Sequence, residues 1–522
     1  MNNGLITRNL GKGLQSVFIL CLTLLASVAE AKTVRIAIGH QSMCTDTYTA
    51  GIVVKELKLL EKYLPKTGKY AKVEYDISWS DYSSGGPITN QMMANKLNFG
   101  VMGDYPLIVN GANFQATKSL RTKYIAGTGY NLKGSGNAIV VPVDSDIYSI
   151  EQLVGKDVSV PVGSAAWGML LKAMQDYGIS TDKFGLKNQS PAVGAANIAA
   201  KKIDAHADFC PWSELMEFRE TGRKIYDGSE TGVPYLHGVV VREDFVSEYP
   251  EVAVAFIKAI YEAGDWIRED PVRAVEMMEK WTGVEKEVLY IYFSKGGHLT
   301  LDPTIKTRWV DALKHNHEVL AKEKVSPPLD LQAWITEEYL HAAYAEMGKD
   351  YNAEKAEIID PAVANAGLPM EIWHARDGIT TYSSMNEFLT ALNSFRDTGA
   401  KLNATYVYDK NTGLKLFGKT AFFVQTDQGF TTFLRKPDAD AYAESDRHAG
   451  KAELLALAGE DDHRLGPAAP QRGRRRRARA TRPAPHRPPP VGREADRPRP
   501  AAEDLPSPAA CPATRTTTPK PS

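Results

Sequence analysis

The chain has 522 residues, with 62 lysines and arginines against 63 aspartates and glutamates, and a formal net charge of −1 at pH 7. This length leaves room for two or three domains with a large core, and the balanced charge argues against a nucleic-acid partner. The chain contains 4 cysteines, too few for a disulfide framework in a protein of this size.

The first 31 residues have the pattern of a secretory signal peptide. Arg8 and Lys12 precede the apolar run VFILCLTLLASVA, and residues 29–31 (AEA) have the small-x-small form of a cleavage site. The run is short for a membrane span, and Cys21 lacks the small residues that precede a lipoprotein anchor. We therefore expect cleavage after Ala31 and a soluble periplasmic protein.

From Lys32 onward, predicted strands alternate with predicted helices. TVRIAIG, VEYDISW and LNFGVMG have the pattern of strands, and helices are expected from Asp46 to about Leu64, after the SSGGP turn, and from Asp104. A second unit of the same kind begins near Asn137, and the chain becomes strongly helical after Leu236. Such alternation predicts two α/β lobes with largely parallel sheets, joined by a hinge.

The segment from Asp157 to Trp212 carries the clearest binding pattern. VSVPV has the alternation of a strand, the residues from Gly163 form a small-residue turn, and a helix follows with its N-terminal N–H groups free. Such a terminus favours an anion or a carbonyl oxygen. In open α/β sheets the ligand lies beyond the carboxyl ends of the strands. The loops expected at that edge cover residues 40–46, 79–87, 103–106, 161–167 and 207–214.

The C-terminal region divides into two parts. Short predicted strands and one helix between about Met370 and Phe430 indicate a small α+β appendage. Beyond it the chain becomes rich in Arg, Pro and Ala and cannot form a core. A basic tail could bind anionic surfaces. However, the near absence of lysine in this tail is typical of a GC-rich gene read out of frame. We therefore interpret the tail as disordered. The expected domains are residues 1–31 (signal peptide), 32–136 with 236–348 (lobe 1), 137–235 (lobe 2), 349–436 (appendage) and 437–522 (tail).

Four motifs carry a resemblance to a known family. They are SSGGP, KLNFGVMGDYP, LVGKDVSVPVGSAAWGMLLKAMQDYGI and KKIDAHADFCPW. Over about residues 32–347 the chain resembles the periplasmic substrate-binding proteins of ABC importers in the aliphatic sulfonate, taurine and nitrate group. The resemblance implies a type II, Venus-flytrap fold whose lobes close on a small anionic or zwitterionic solute. It also implies delivery to a membrane permease, a monomer and no cofactor.

The resemblance also implies ligand-facing positions in both lobes. These are Gln41, Ser84, Gly85, Gly103, Asp104, Gly163, Ser164, Cys210 and Trp212. The family often has Trp-Asp-Pro where this chain has Phe209-Cys210-Pro211, so a carboxylate is missing from a ligand position. Asp104, Asp208 and Glu214 are then the candidates to pair with an ammonium group.

Cys44 and Cys210 are expected on opposite lobes. They could form a disulfide, remain buried as small apolar residues, or bind copper or zinc with Met43 and His40. His374 is a further weak candidate ligand, because the appendage faintly resembles the copper-chaperone lipoproteins of nitrous-oxide reductase maturation. His40 and His237 are otherwise expected to be ordinary strand-end residues, and the alternative is that they contact the ligand directly.

The motifs of common enzyme classes are missing from the sequence. It has no Gly-x-Ser-x-Gly elbow, no GxxxxGK[ST] loop and no zincin helix. We therefore expect a solute receptor for an importer and not an enzyme. The alternative is a copper-handling or sensory protein that uses the two lobes as a ligand-responsive module. A third hypothesis is a pyrimidine-precursor synthase that consumes its own histidine, an activity found in relatives of this fold.

Overall fold

A computed structural model describes residues 32–426, 429–445 and 453–454. The predicted signal peptide and its cleavage site, and nearly all of the predicted tail, lie outside the described residues. Among the described helices, none combines the length and the hydropathy that a membrane span requires.

The first lobe contains a five-stranded sheet with the order β2-β1-β3-β10-β4. Its first elements are β1 (Lys32–His40), a 3-10 helix (Thr45–Ala50), α1 (Ile52–Glu56), α2 (Leu59–Tyr63), a 3-10 helix (Gly68–Tyr70), β2 (Val73–Asp81), α3 (Gly85–Met93), β3 (Phe99–Gly103), α4 (Asp104–Ala116) and β4 (Thr122–Asn131). β1 pairs in parallel with β2 over its whole length, from Lys32 opposite Val73 to His40 opposite Asp81. All residues of β3 are buried, as expected for a central strand covered on both faces.

The second lobe repeats this design with the strand order β7-β6-β8-β5-β9. Its elements are β5 (Asn137–Pro142), a 3-10 helix (Glu151–Leu153), β6 (Asp157–Val160), α5 (Ala165–Asp176), a 3-10 helix (Thr181–Lys183), β7 (Gly185–Asn188), α6 (Pro191–Ala199), β8 (Ala205–Phe209), α7 (Trp212–Phe218), β9 (Gly222–Asp227) and a 3-10 helix (Gly228–Thr231). The chain returns to the first sheet with β10 (Tyr235–Arg242). Two segments therefore join the lobes, one between β4 and β5 and one between β9 and β10.

Four of the five strands in each sheet run in the same direction, as the expectation of largely parallel sheets predicts, and one crossing strand runs against them. β1 runs parallel to β2 and β3, whereas β10 runs antiparallel to β3 and β4. In the second sheet β5 likewise runs antiparallel to β8 and β9. The reason is topological: each crossing strand enters its sheet at the edge where the neighbouring parallel strands end, so it must run in the opposite direction.

Helices after β10 complete the body. They are α8 (Glu243–Glu248), α9 (Pro250–Glu269), α10 (Pro271–Thr282), α11 (Lys286–Phe293), α12 (Thr307–Lys322), α13 (Leu331–Trp334), α14 (Glu338–Met347), α15 (Tyr351–Ala356) and α16 (Pro361–Ala364). α9 begins with a proline at its first position and buries an apolar stripe at helical spacing, including Val252, Phe256 and Ile260. This stripe packs against the first lobe, where Phe256 contacts Phe99 at 5.1 Å between ring centroids.

The predicted helix from Asp46 to Leu64 is wrong as a single element. The structure divides it into a buried 3-10 turn, α1 and α2, with Gly51 and Lys58 at the breaks. Lys58 has a φ of 53°, in the left-handed region. Every residue of the 3-10 turn is buried, so the chain bends to fit this segment into the lobe.

The appendage forms two small sheets with two helices among its described residues. Its elements are β11 (Met370–His374), β12 (Gly378–Tyr382), α17 (Met385–Thr398), β13 (Leu402–Tyr408), β14 (Lys415–Phe417), β15 (Phe422–Thr426), β16 (Gly429–Phe433), α18 (Lys436–Ser445) and β17 (Glu453–Leu454). α18 and β17 correct the expectation that disorder starts at residue 437. Ala439 is buried in a cluster with Phe422 and Phe433, and this apolar packing holds α18 on the sheet.

Candidate functional site

The two lobes meet at the carboxyl ends of their parallel strands. A Cβ atom placed on Gly103, at the end of β3, would lie 3.3 Å from the Cβ of Ala165, the first residue of α5 in the other lobe. A Cβ on Gly168 would lie 2.1 Å from the ring of Tyr105. The ring of Tyr105 leaves room only for glycine at position 168, and a side chain at position 103 would be tight against the other lobe. We call this contact region the seam.

The predicted positions of the first lobe are mostly engaged within that lobe. Gln41 is buried, and its side-chain amide donates to the carbonyl oxygen of Val101 at 3.3 Å. Gly85 packs so closely on Pro106 that a Cβ would lie 2.4 Å from it. Ser84 is half-buried at the N-terminus of α3, and its side chain does not cap that helix.

Asp104 lies at the start of α4, where both of its oxygens accept hydrogen bonds. One accepts from the backbone N–H of Tyr105 at 2.7 Å and the other from the amide of Asn316 at 2.8 Å. Burial raises the pKa of this carboxyl to about 8. Asp104 therefore ties α4 to α12, and its oxygens are already occupied.

In the second lobe, Gly163 and Ser164 form the turn into α5 as predicted from their spacing. Gly163 has a φ of 84°, and a Cβ there would meet no atom within 4 Å. Ser164 caps the helix by accepting from the N–H of Trp167 at 3.3 Å. The indole N–H of Trp212, at the start of α7, is buried and has no hydrogen-bond partner among the described residues.

Three buried side chains converge at the centre of the seam. Cys44 Sγ lies 3.5 Å from Cys210 Sγ and 3.4 Å from His237 Nε2. Each of the three residues is at most 1% exposed. Cys44 and His237 belong to the first lobe and Cys210 to the second. Both cysteines are free thiols, so the structure contains no disulfide between them. We call these three residues the seam triad.

Two further polar groups surround the seam triad. The Tyr235 hydroxyl lies 3.1 Å from His237 Nε2, and Asp46 Oδ2 lies 3.4 Å from His237 Nδ1. That Nδ1 makes no hydrogen bond of acceptable geometry among the described residues. Burial lowers the pKa of His237 to about 3 and raises the pKa of Asp46 to about 7, so the imidazole is neutral at pH 7. Burial and the neighbouring Cys44 raise the pKa of the Cys210 thiol.

Sequence reasoning placed the two cysteines on opposite lobes but missed the histidine that joins them. His237 is the third residue of β10, near the strand end as expected, and Tyr235 lies two residues before it on the same face. That i, i+2 spacing of polar residues in an otherwise apolar strand was an available signal. The suggested ligands lie elsewhere: His40 packs on Trp79 with ring centroids 5.7 Å apart, and His374 packs on Phe395 at 4.7 Å.

Two other predicted partners for an ammonium group are also engaged inside the protein. Asp208 accepts from the N–H of Phe209 at 2.9 Å and lies 2.8 Å from His206 Nε2. Glu214 pairs with Lys224 at 2.5 Å and accepts from the Tyr292 hydroxyl. Asp46 is therefore the carboxylate that lies at the seam triad itself.

Comparison with known proteins found a family model and several periplasmic binding proteins that are similar to parts of this chain. The NMT1/THI5 like family matches residues 121–274. The taurine-binding periplasmic protein of Escherichia coli is 27% identical over 190 residues, which are 36% of this chain and 56% of that protein. The chain is therefore similar in sequence to periplasmic proteins named for binding taurine and aliphatic sulfonates. A Bacillus subtilis protein named for binding aliphatic sulfonates is 25% identical over 238 residues, or 46% of this chain and 68% of that one.

The two-lobed fold is also similar to that of a solved structure. The alkanesulfonate-binding protein SsuA from Xanthomonas axonopodis pv. citri, solved with MOPS bound, superposes with a TM-score of 0.50. The match covers 59% of this chain and 99% of SsuA at 17% sequence identity. At that identity the likeness establishes the two-lobed fold. The match with the taurine-binding protein spans just over half of that protein's length.

Proposed function

We propose that this chain is an extracytoplasmic solute-binding protein that captures a small anionic or zwitterionic solute of the sulfonate, taurine or nitrate class between its lobes. The observation that carries the proposal is the seam, where the carboxyl ends of the strands of two similar α/β lobes face each other across two connecting segments. Ligands of open α/β sheets bind at this edge. Binding without covalent chemistry needs only donors on both lobes and a hinge.

Helix N-termini supply donors suited to an anion. α3 begins at Gly85 and α5 at Ala165, and both starts lie at the carboxyl ends of strands. Unpaired backbone N–H groups and the helix dipole favour negative charge at such starts. Around Gly163 there is open space, since no atom lies within 4 Å of a Cβ built there.

Unpartnered polar atoms also support a ligand at this edge. The indole nitrogen of Trp212 and Nδ1 of His40 are both buried, and neither has a hydrogen-bond partner within the described part of the chain. A buried polar atom without a partner costs about 1–3 kcal/mol, so native structures rarely leave one unpaired. A solute with acceptor oxygens would satisfy the indole N–H.

Delivery to an ABC importer completes the proposal. The signal-peptide pattern and the relationship to periplasmic binding proteins both support a location outside the cytoplasm. We propose that the monomer presents its solute to a membrane permease. Neighbouring genes for a permease and an ATPase would support this step, and a lack of solute uptake by that permease when the protein is supplied would contradict it.

Thermal melting with candidate solutes tests the binding step. Taurine, an alkanesulfonate and nitrate would each be added to the purified protein. At a hundredfold excess over its dissociation constant, a true ligand should raise stability by about 2.7 kcal/mol. If none of the three raises the melting temperature, the proposed solute class is wrong.

A charge variant tests where the solute binds. Gly163→Asp places a carboxylate at the start of α5 and should weaken an anionic solute at least tenfold. Gly155→Asp is the matched control, since Gly155 has a φ of 80° against 84° at Gly163 and also has open space around it. The backbone strain of the two variants is therefore similar. Equal affinities in the two variants would show that the solute does not bind near α5.

A further inference from the structure

The seam triad has the donors and spacing of a metal site. We propose that Cys44, Cys210 and His237 bind one thiophilic d10 metal ion across the seam, through two sulfur atoms and one imidazole nitrogen. Their ligand atoms all lie within 4.8 Å of one another. The proposal is independent of the proposed solute, because it concerns a metal ion held by the protein's own side chains.

The distances match the edges of a tetrahedral site. With metal–sulfur bonds of about 2.3 Å and metal–nitrogen bonds of about 2.0–2.1 Å, tetrahedral angles place two sulfurs about 3.8 Å apart and sulfur and nitrogen about 3.6 Å apart. The corresponding distances here are 3.5 Å between the two sulfurs and 3.4 Å between Cys44 Sγ and His237 Nε2. Shifts of a few tenths of an ångström would therefore accommodate the ion.

The donor set also selects the kind of ion. Thiolates and imidazole favour zinc and cuprous copper over magnesium and calcium, which prefer oxygen ligands. Two thiolates and a neutral imidazole carry a total charge of −2. This charge balances that of Zn²⁺ and reduces the cost of burying the ion. When the ion binds, each thiol loses its proton to solvent and each sulfur donates an electron pair to the metal, so two protons are released.

Groups around the triad fit the surroundings of a metal. Metal-binding histidines usually direct their second ring nitrogen at a carboxylate or carbonyl oxygen. His237 Nδ1 has the Asp46 carboxylate at 3.4 Å and no hydrogen bond within the described residues. A small movement of Asp46 would make this contact. The Tyr235 hydroxyl lies 3.1 Å from His237 Nε2, the nitrogen proposed to bind the ion.

The location of the ligands has a mechanical consequence. Cys44 follows β1 and His237 lies in β10, both in the first lobe, whereas Cys210 follows β8 in the second lobe. The bound ion therefore connects the lobes. Opening of the seam would break the bond to Cys210, so the ion should stabilise the closed form.

Titration with metal ions alone tests the proposal. The full, reduced protein would be titrated with Zn²⁺, and anaerobically with Cu⁺, against a chromophoric chelator. We expect one ion per chain, release of about two protons per Zn²⁺ ion, and thiolate-to-metal charge-transfer absorption when Co²⁺ replaces zinc. No organic solute is present, so the result does not depend on whether the protein binds a sulfonate.

Variants identify the ligands. Cys44→Ser, Cys210→Ser and His237→Ala should each weaken metal binding at least a hundredfold, with folding verified by circular dichroism. His374→Ala is the matched control, because that buried histidine lies in the appendage and packs on Phe395. It should leave the affinity unchanged. Cys210→Ser should also abolish any decrease in radius of gyration on adding zinc.

Three results would overturn the proposal. The first is that the reduced protein binds no ion. The second is that a variant carrying all three substitutions binds metal as tightly as the parent, which would mean adventitious surface binding. The third is a mass two hydrogens lower in protein isolated from the exporting cell, with a peptide linking Cys44 to Cys210. That result would identify the pair as a disulfide that excludes the metal.

Discussion

Two buried polar clusters in this protein differ in how well their groups satisfy one another. Around Lys224, the ammonium group pairs with Glu214 at 2.5 Å and with Glu217 at 3.5 Å, and the Tyr292 hydroxyl donates to Glu214. At the seam triad, two thiols and a neutral imidazole lie together, and one ring nitrogen has no hydrogen bond among the described residues. In the first cluster the charged groups pair with one another, whereas the second consists of uncharged sulfur and nitrogen atoms that can act as ligands.

This contrast separates a structural cluster from a binding one. A buried charge is stable only when it is paired, so the charged groups around Lys224 stabilise one another within the protein. Thiols and a neutral imidazole can be buried at lower cost without such pairing. The seam can therefore hold sulfur and nitrogen atoms at the position where the lobes meet. The electron pairs of these atoms are available to a ligand.

The largest expected effect is at the Lys224 cluster. Burial opposes ionisation of Glu214, but Lys224 and His298 hold its pKa at about 2, below its ordinary 4.5. Glu214→Gln should lower the free energy of unfolding by about 3–5 kcal/mol at pH 7, because it leaves Lys224 short of a partner. The contribution of ionised Glu214 is complete above pH 4.5 and is lost as the pH falls through 2. The difference between parent and variant in urea unfolding should shrink over that range.

An exposed ion pair provides the control for that variant. Asp144 pairs with Lys201 at the surface, where both side chains are about 60% exposed. Asp144→Asn should leave the urea midpoint unchanged, because exposed pairs contribute little. If Glu214→Gln also left the urea midpoint unchanged, the ion pairs around Lys224 would not stabilise the fold.

A smaller effect is expected from filling the seam. A Cβ on Gly103 would lie 3.2 Å from His237 Nε2 and 3.3 Å from the Cβ of Ala165. Gly103→Ala should therefore reduce the free energy of unfolding by about 1–3 kcal/mol through overpacking. Gly264→Ala in α9 is the control, because its Cβ would meet only the flexible end of Arg268 at 3.3 Å. That variant should be neutral or up to about 1 kcal/mol more stable. Equal melting temperatures for the two variants would mean that the seam is loosely packed.

The smallest effect is expected from a single hydroxyl at the triad. Tyr235→Phe removes the contact with His237 Nε2 and should cost about 1 kcal/mol or less. Tyr75→Phe, which removes a 2.6 Å hydrogen bond to the carbonyl oxygen of Pro65, is a matched control of similar size. If Tyr235→Phe lowered the free energy of unfolding as much as Glu214→Gln, the seam triad would be a structural cluster like the one around Lys224.

Much of the fold could be predicted from local patterns. The alternation in β1 and β6, the small-residue turn at Gly163 and the two-lobed architecture follow from spacing and turn chemistry. The antiparallel strand in each sheet could not, because the direction of β10 depends on where the chain re-enters the first lobe. α18 was not predicted either, because its burial depends on packing against Phe422 and Phe433 of the adjacent sheet.

The candidate site was predictable in outline but not in detail. Cys44 and Cys210 were placed on opposite lobes because each follows a predicted strand. The partner histidine was not found among His40 and His374, which lie close to strand patterns but pack on aromatic rings instead. Asp104 was chosen for its position, yet its oxygens accept from Tyr105 and Asn316, a contact between residues far apart in sequence.

Local patterns specify the two α/β lobes, the edge at which the parallel strands end and the cysteines on either side of it, since periodicity and turn residues act over a few positions. Which side chains meet at that edge depends on contacts between residues far apart in the chain. Cys44 and His237 are 193 residues apart, and Cys44 and Cys210 are 166 apart. The first contact depends on how the first lobe folds and the second on how closely the lobes approach at Gly103, and no local pattern encodes either distance.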